Sequence, residues 1–354
     1  MRILGMMSGT SLDGLDMALC RIEGGGYAIE AATTVPYTEE WRRRLSSLGQ
    51  ASAFDYAMAH AELGHYMGRE AHRFLVEEGL AADAIASHGH TIFHQPEYGL
   101  TTQIGDGDAI AAETGLPVVS NFRTLDVALG GQGAPLVPTG DELFFGEYDA
   151  CLNLGGIANI SYREGGRRKA YDICPCNMAL NRLAAQLGLP YDPQGENARR
   201  GHTHTCLLAA LDNLPYYADE APKSLGKEWF DSQFWPVVEA AGLPAGDALA
   251  TVSAHIALQI ARAAQRQPTA SLLVTGGGAY NSHLIDLLQQ HCPSVAITVP
   301  DPLIVDYKEA LVFALLGYLR LNHRVNTLKT VTGACADSVG GTVSGLTVAG
   351  QEAD

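Results

Sequence analysis

Apolar and polar residues group into three strand-like runs at the start of the chain, near 2–8, 14–23 and 27–36. A longer stretch follows in which Phe54, Met58, Ala61, Leu63, Met67, Ala71 and Phe74 recur near helical spacing, the signature of an amphipathic helix. Strands are predicted again near 84–88, 101–104 and 117–120, with a helix over 108–114 that Asp106 or Asp108 caps. From 121 to 140 the pattern lapses. Asn121-Phe122-Arg123-Thr124-Leu125-Asp126 leads into Gly130-Gly131-Gln132-Gly133-Ala134-Pro135, read as an irregular crossing between lobes. The opening pattern then returns, with strands near 150–154, 157–163 and 169–173 and helices around 177–187, 231–241 and 248–266. The apolar run Ser271–Thr275 reads as a buried strand entering Gly276-Gly277-Gly278. A helix near 281–290, a strand near 295–299 and a helix near 307–320 follow, and the tail from Val331 holds three glycine-broken strand-like pieces that predict a small returning sheet. Three strands, a helix and further β-α units, occurring twice, predict an α/β protein of duplicated lobes around a central cleft. The expected division is 1–130 for the first lobe, with the tail 322–354 packing back on it, and 131–321 for the second.

Each lobe opens on a glycine turn between two strands. The first is Gly5-Met6-Met7-Ser8-Gly9-Thr10-Ser11-Leu12-Asp13-Gly14, running on into Leu15-Asp16; the second is Leu154-Gly155-Gly156-Ile157-Ala158-Asn159. Backbone N–H groups in such turns point at an anion, and a phosphate approaches closely where no Cβ intervenes. Two of them imply lobes that grip a nucleotide polyphosphate. No Gly-x-x-x-x-Gly-Lys-Ser/Thr sequence occurs, so this is not a Walker A loop.

Composition narrows the picture. The 354 residues are 47% hydrophobic and 18% charged, enough for each half to bury its own core. A net charge of −16 argues against non-specific binding to nucleic acid or an anionic membrane, but not against ATP, whose charge magnesium offsets. No apolar run reaches the roughly 18 residues of a spanning helix, and the chain starts directly in a strand; a soluble, cytoplasmic protein is expected. Seven scattered cysteines include no Cys-x-x-Cys, which argues against zinc or a disulfide framework, and Cys174-Pro175-Cys176 reads as two reduced thiols in a tight turn.

Among candidate chemical groups, Asp172 stands at the end of a strand just before a helix. A carboxylate there faces the usual cleft of an α/β lobe and suits a general base toward water or a hydroxyl; it equally suits a helix cap, for which Asn177 competes. Asp13 and Asp16 flank the first turn, where one can hold magnesium through water or, as Asp13 before Gly14 suggests, stabilise the turn. Gly276 to Gly278 suit close approach of a base or ribose. Ser87-His88-Gly89-His90-Thr91, His94, Gln103, Arg123 and Asp126 suit a polyhydroxylated or carboxylated ligand. His60 and His65 have the wrong spacing for one metal face, and His202-Thr203-His204 reads as a solvated loop.

Seven segments together resemble the anhydro-N-acetylmuramic acid kinase family of the sugar kinase, acetate kinase and actin superfamily. They are Gly5–Asp16, Ser87–Thr91, Asn121–Pro135, Leu152–Asn159, Pro222–Phe230, Val274–Asn281 and Val331–Ala334, in the family's order over nearly the whole chain. The resemblance implies two duplicated ribonuclease-H-like (actin-like ATPase) lobes, and ATP with Mg²⁺. It implies opening of a 1,6-anhydro muramic sugar by water with transfer of the γ-phosphate to O6, in peptidoglycan recycling. Asp172 would be the base. Gly9, Thr10, Ser11, Leu12, Asp13, Gly14, Leu15 and Asp16, with Gly155, Gly156, Asn159, Gly276, Gly277 and Gly278, would serve the nucleotide, and Asp13 the metal. Thr91, Arg123 and Glu309 would lie near the small anhydro-amino-sugar substrate; no nucleic acid or membrane is implied, and a homodimer is compatible. The chain departs from the family's Asp-Thr-Gly-Pro-Gly-Asn by Ile173, Cys174 and Cys176, from its usual glutamine by His90, and from its Asn-Leu-Pro-Ser by Asn326-Thr327-Leu328-Lys329. Beside the kinase stand two alternatives: a non-catalytic nucleotide- or sugar-binding protein of the same fold, and a kinase for another sugar or carboxylate.

Overall fold

β1 (Arg2–Ser8), β2 (Gly14–Glu23) and β3 (Gly26–Pro36) form an antiparallel meander that begins the first sheet. The computed structural model describes residues 1–9, 12–221, 223–266 and 269–345. The chain divides into two units, Met1–Phe144 with everything from Tyr307 onward, and Phe145–Asp306. Residues 131–144 and 307–321, expected in the second lobe, thus lie in the first unit, and the division falls inside one continuous helix, Pro302–Leu321.

In the first unit β4 (Ala84–Gln95) runs parallel to β1, β5 (Leu100–Ile104) pairs antiparallel with β4, and β6 (Val118–Ser120) runs parallel to β4. The tail contributes one strand, Thr342–Ser344, antiparallel to β6, in place of the three pieces expected. The sheet order is Thr342–Ser344, β6, β4, β1, β2, β3. β1 is central and covered on both faces, which is why Ile3, Leu4 and Met6 are all fully buried and its pattern does not alternate. The helix Pro302–Leu321 packs so closely that a Cβ on Gly5 would stand 1.9 Å from the Ala310 carbonyl oxygen, and one on Gly317 2.5 Å from Ala86 Cβ. Leu311, Phe313 and Leu316 of that helix are buried, each stabilising the unit by roughly 1.5–3 kcal/mol.

The second unit repeats the plan. β7 (Ala150–Leu154), β8 (Ile157–Glu164) and β9 (Arg167–Pro175) form the meander, β10 (Ser271–Thr275) runs parallel to β7, and β11 (Ala296–Thr298) parallel to β10. The order β11-β10-β7-β8-β9 matches β6-β4-β1-β2-β3 strand for strand. The rungs next to the two turns also correspond. Met7, Asp16 and Thr34 lie side by side across β1, β2 and β3, as Asn153, Asn159 and Asp172 do across β7, β8 and β9. Leu152, Leu154 and Ile160 share a core with Val252, Ile256 and Ile260 of the helix Ala245–Gln265.

Several elements differ from the sequence expectation. The stretch 121–140 is not irregular throughout: Thr124–Ala128 is helical, and Val137–Phe144 forms a helix on the close contact of Gly140 with Val312. The short helices Glu39–Ser47, Glu196–Arg200 and Thr205–Asp212 were not predicted. The helix Ala53–Glu77 forms with Ser52 as its cap, but Phe54 and Met58 point to solvent in its first turns. Asp106, not Asp108, caps Gly107–Thr114. The helix expected over 231–241 starts at Lys227 and passes through a π-helical turn, Phe230–Phe234. Among the described residues no helix is long and apolar enough to cross a membrane.

Candidate active site

In the first unit the glycine turn leaves β1 at Ser8 and re-enters the sheet at Gly14. Leu12 holds φ +60° there, and its N–H donates to the Gly9 carbonyl at 3.3 Å. A Cβ on Gly14 would lie 2.5 Å from the Val35 carbonyl oxygen, so β3 packs against bare backbone at this point. Leu15 is buried in the core, so its side chain does not face a ligand, and it pairs with Ser8 across the sheet. Asp13 is exposed, whereas Asp16 is half-buried and accepts the Thr34 hydroxyl at 2.6 Å. Thr10 and Ser11 lie outside the described residues.

Beneath the turn, the Tyr37 hydroxyl donates to Ser8 Oγ at 2.7 Å, and Ser8 Oγ lies 2.9 Å from His90 Nδ1. All three are buried, and burial pushes the His90 imidazole down to about 4, so it is neutral at physiological pH. The His88 ring is fixed in one tautomer. Its Nδ1–H donates to the Gly89 carbonyl at 2.9 Å, which leaves Nε2 to accept the Arg123 Nε–H at 2.9 Å. Arg123 Nη1 donates to the Gly133 carbonyl at 2.7 Å. Burial lowers the guanidinium to about 10 while the Glu309 carboxylate nearby holds it up, so it stays charged. The half-buried Glu309 is raised by burial and by Asp16, with Arg123 and Lys308 opposing. Arg123 and Glu309 therefore form one electrostatic group, and Asp16 belongs to it too. Thr91, half-buried on β4, accepts Gln103 Nε2 at 3.3 Å. Asp126 does not face a ligand. It is buried, accepts the Gly133 N–H and the Thr332 hydroxyl at 2.7 Å each, and braces the loop against the tail.

In the second unit the turn is docked on a helix. The Gly155 carbonyl accepts the Asn177 N–H, and the Gly156 carbonyl accepts the N–H groups of Cys176 and Met178. The turn thereby satisfies the first amides of the helix Asn177–Ala185, whose cap position is Cys176 with no side-chain capping bond. Neither Asp172 nor Asn177 is the cap. Asn177 Nδ2 donates to the Leu154 carbonyl at 2.8 Å. The glycine triplet lies over the same residue. A Cβ on Gly276 (φ +81°) would be 2.4 Å from Asn153 Oδ1 and one on Gly278 2.7 Å from Leu154 Cβ, whereas Gly277 has nothing nearer than Asn177 Nδ2 at 3.8 Å. Gly155, Gly156, Asn177 and Gly276–Gly278 thus converge on the end of β7. Gly277 is the one glycine of the triplet where a Cβ would meet no protein atom closer than ordinary contact.

Asp172 faces Asn159 across the ladder, beside a β-bulge in which Ile173 is the extra residue. Its N–H donates to the Lys223 carbonyl at 3.2 Å, its carbonyl accepts the Tyr216 hydroxyl at 2.6 Å, and its Oδ2 accepts the Leu225 N–H at 2.9 Å. Burial raises the carboxyl to about 6 against the pull of that amide. Such a group is ionised at neutral pH yet basic enough to take a proton. Sequence reading missed Tyr216, Lys223 and Leu225, although Lys223 and Leu225 lie in the quoted segment Pro222–Phe230. Cys174 and Cys176 are fully buried, and burial raises both thiols, Cys176 to about 12. Neither has positive φ; Cys176 sits at φ −125°. Cysteine therefore incurs no left-handed penalty at either position, and both side chains fill the core instead.

Asp13, exposed at the turn, fits the water-mediated carboxylate that a magnesium ion shared with phosphates needs. Among the described residues no group of three or more His, Cys, Asp or Glu side chains could form a metal cage.

The doubled meander, each copy with its glycine turn at the same corner, agrees with the two duplicated actin-like lobes expected from the sequence. A sequence profile of the family "Anhydro-N-acetylmuramic acid kinase" matches residues 1–345. Relatives named anhydro-N-acetylmuramic acid kinase include that of Sulfurovum sp. (strain NBC37-1), 34% identical over 97% of this chain and 98% of the relative. That of Vibrio vulnificus (strain YJ016) is 36% identical over 94% and 95%. This chain belongs to the anhydro-N-acetylmuramic acid kinase family. Among solved structures, the activator of the 2-hydroxyisocaproyl-CoA dehydratase from Clostridium difficile with bound ADPNP aligns with a TM-score of 0.48 and 14% identity. That alignment covers 91% of this chain and 96% of that one, a likeness too distant to bear on chemistry.

Proposed function

We propose that the protein is an ATP-dependent kinase that opens 1,6-anhydro-N-acetylmuramic acid with water and phosphorylates O6, yielding N-acetylmuramate 6-phosphate in peptidoglycan recycling. The observation that carries this reading is Asp172: a half-buried carboxylate lifted to about 6, one oxygen held by the Leu225 amide and the other left for a proton. Asp172 takes a proton from water as the water oxygen bonds to C1. The C1–O6 bond breaks, and O6 bonds to the γ-phosphorus as the bond to the β-phosphate oxygen breaks and ADP leaves. Positioning and charge stabilisation supply most of the transfer step.

Gly9–Asp16, Gly155, Gly156, Asn159 and Gly276–Gly278 serve the nucleotide. Arg123, Glu309 and Thr91 hold the sugar: the charged Arg123 suits its carboxylate, and Glu309 and Thr91 suit its hydroxyl and amide groups. Asp13 would hold a magnesium ion through water, and the ion would supply charge neutralisation at the phosphates. The buried fit of Cys174 and Cys176 removes the main reason for preferring a binding protein without turnover. Incubation with ATP, Mg²⁺ and the anhydro sugar in ¹⁸O-water tests the reaction by mass spectrometry. Label at C1 of a 6-phosphosugar is expected. Phosphorylation without label, or no turnover, overturns it.

A further inference from the structure

β9 is the edge strand of its sheet, and both backbone groups of Asp172, beside the bulge at Ile173, bond outward rather than to β8. One segment meets them. Lys223 O takes the N–H, the Tyr216 hydroxyl reaches the carbonyl, and the Leu225 N–H binds Oδ2. The segment is itself closed on Lys223, whose Nζ donates to the Tyr216 carbonyl at 2.8 Å and sits 4.3 Å from the centre of the Tyr216 ring. Trp229 packs on the same ring at 5.3 Å between centroids. Behind it, Tyr217 is 3.0 Å from His255 Nε2, and His255 Nδ1 is 2.8 Å from Asp212 Oδ1, with His255 fully buried. An edge strand needs only its backbone covered. The third bond, to the carboxylate, is not explained by edge protection.

We propose that Tyr216, Lys223 and Leu225 act as a positioning clamp that sets which oxygen of Asp172 meets the nucleophile and holds it there. Resting on the functional reading above, the clamp occupies Oδ2, leaves Oδ1 without a hydrogen-bond partner among the described residues, and ties its direction to a backbone fixed at both N–H and carbonyl. Among the described residues, the titratable groups next to Asp172 are Tyr216 and Cys174, both kept neutral by burial, and the Lys223 ammonium. Loss of the Leu225 amide bond removes a stabiliser of the carboxylate, so the carboxyl of Asp172 should then titrate at higher pH.

The test uses the full chain with Tyr216→Phe, which keeps the ring, and Leu225→Pro, which deletes the amide donor. Asp172 is followed by ¹³C resonance of labelled aspartate carboxyls, assigned with Asp172→Asn. Leu225→Pro should move the Asp172 titration upward. Both variants should lower the single-turnover rate about tenfold or more, the scale of a small misplacement of a reacting group. Affinity for a non-hydrolysable ATP analogue, read by calorimetry, should hold. An unmoved Asp172 titration in Leu225→Pro, with parental turnover in both variants, overturns the clamp. A parent that does not phosphorylate the sugar overturns the functional reading instead, and the carboxyl titration still decides the clamp.

Discussion

Replacing Asp172 by asparagine should make the protein more stable and far slower. Burial lifts its carboxyl from an ordinary 3.8 to about 6. A lift of about two units is worth roughly 3 kcal/mol against the charged form. The side chain keeps some contact with solvent, so about 1–2 kcal/mol is the working figure. Because the folded value lies above the unfolded one, the folded state holds the proton longer between about pH 4 and 6. Stability is therefore lost as pH rises through that window, and the loss is complete above it. Asparagine carries no charge, and its amide oxygen can still accept the Leu225 N–H. Urea unfolding at pH 8 should show the variant about 1–2 kcal/mol more stable than the parent, and the gap should shrink toward zero near pH 4. The single-turnover rate should fall by roughly 10²–10⁴-fold, the scale of a lost general base. A variant less stable than the parent at pH 8, or a gap that does not change with pH, would refute the view of Asp172 as a costly buried charge. A near-parental rate would remove it from the chemistry.

Three further outcomes follow from the same geometry. The parent's kcat/KM should fall with unit slope below about pH 6 as Asp172 takes up its proton, and a flat acid limb there would contradict its role. Gly276→Ala should lower the melting temperature, since it meets both φ +81° and Asn153 Oδ1 at 2.4 Å; Gly277→Ala should melt like the parent but bind an ATP analogue more weakly in calorimetry. Asp126→Ala should cost roughly 2–4 kcal/mol in urea unfolding, because the Gly133 N–H and the Thr332 hydroxyl lose a buried partner, while ATP affinity is unchanged.

The strands were the most legible part of the sequence. β1, β2 and β3 fall within a residue of 2–8, 14–23 and 27–36 because each apolar run is bounded by glycine or proline. Thr124–Ala128 and Val137–Phe144 were hidden because glycine and proline around them mask helical spacing, and Val137–Phe144 is fixed by contact with residues far along the chain. Asp172 was legible as a candidate from its place before a helix, but its role there was not. The bulge at Ile173 leaves no mark in the sequence, and the partner of its carboxylate comes from Leu225, a contact no local pattern encodes. Asp126 shows the converse. Its company of polar residues suggested a ligand, yet burial and two short bonds to Gly133 and Thr332 make it a brace.

The matching rungs at the two turns place their acids differently. In the first unit the acid of the rung is on the middle strand, at Asp16, with a hydroxyl, Thr34, on the outer strand tying up one of its oxygens. In the second unit the acid is on the outer strand, at Asp172, and the middle position is the amide of Asn159. Two carboxylates placed alike would have like neighbours, and a shift by a single strand breaks that symmetry. On the outer strand the acid is open at the sheet edge, where Tyr216, Lys223 and Leu225 meet it. The first unit's acid accepts the Thr34 hydroxyl of β3 and, as a like charge, raises the Glu309 carboxyl.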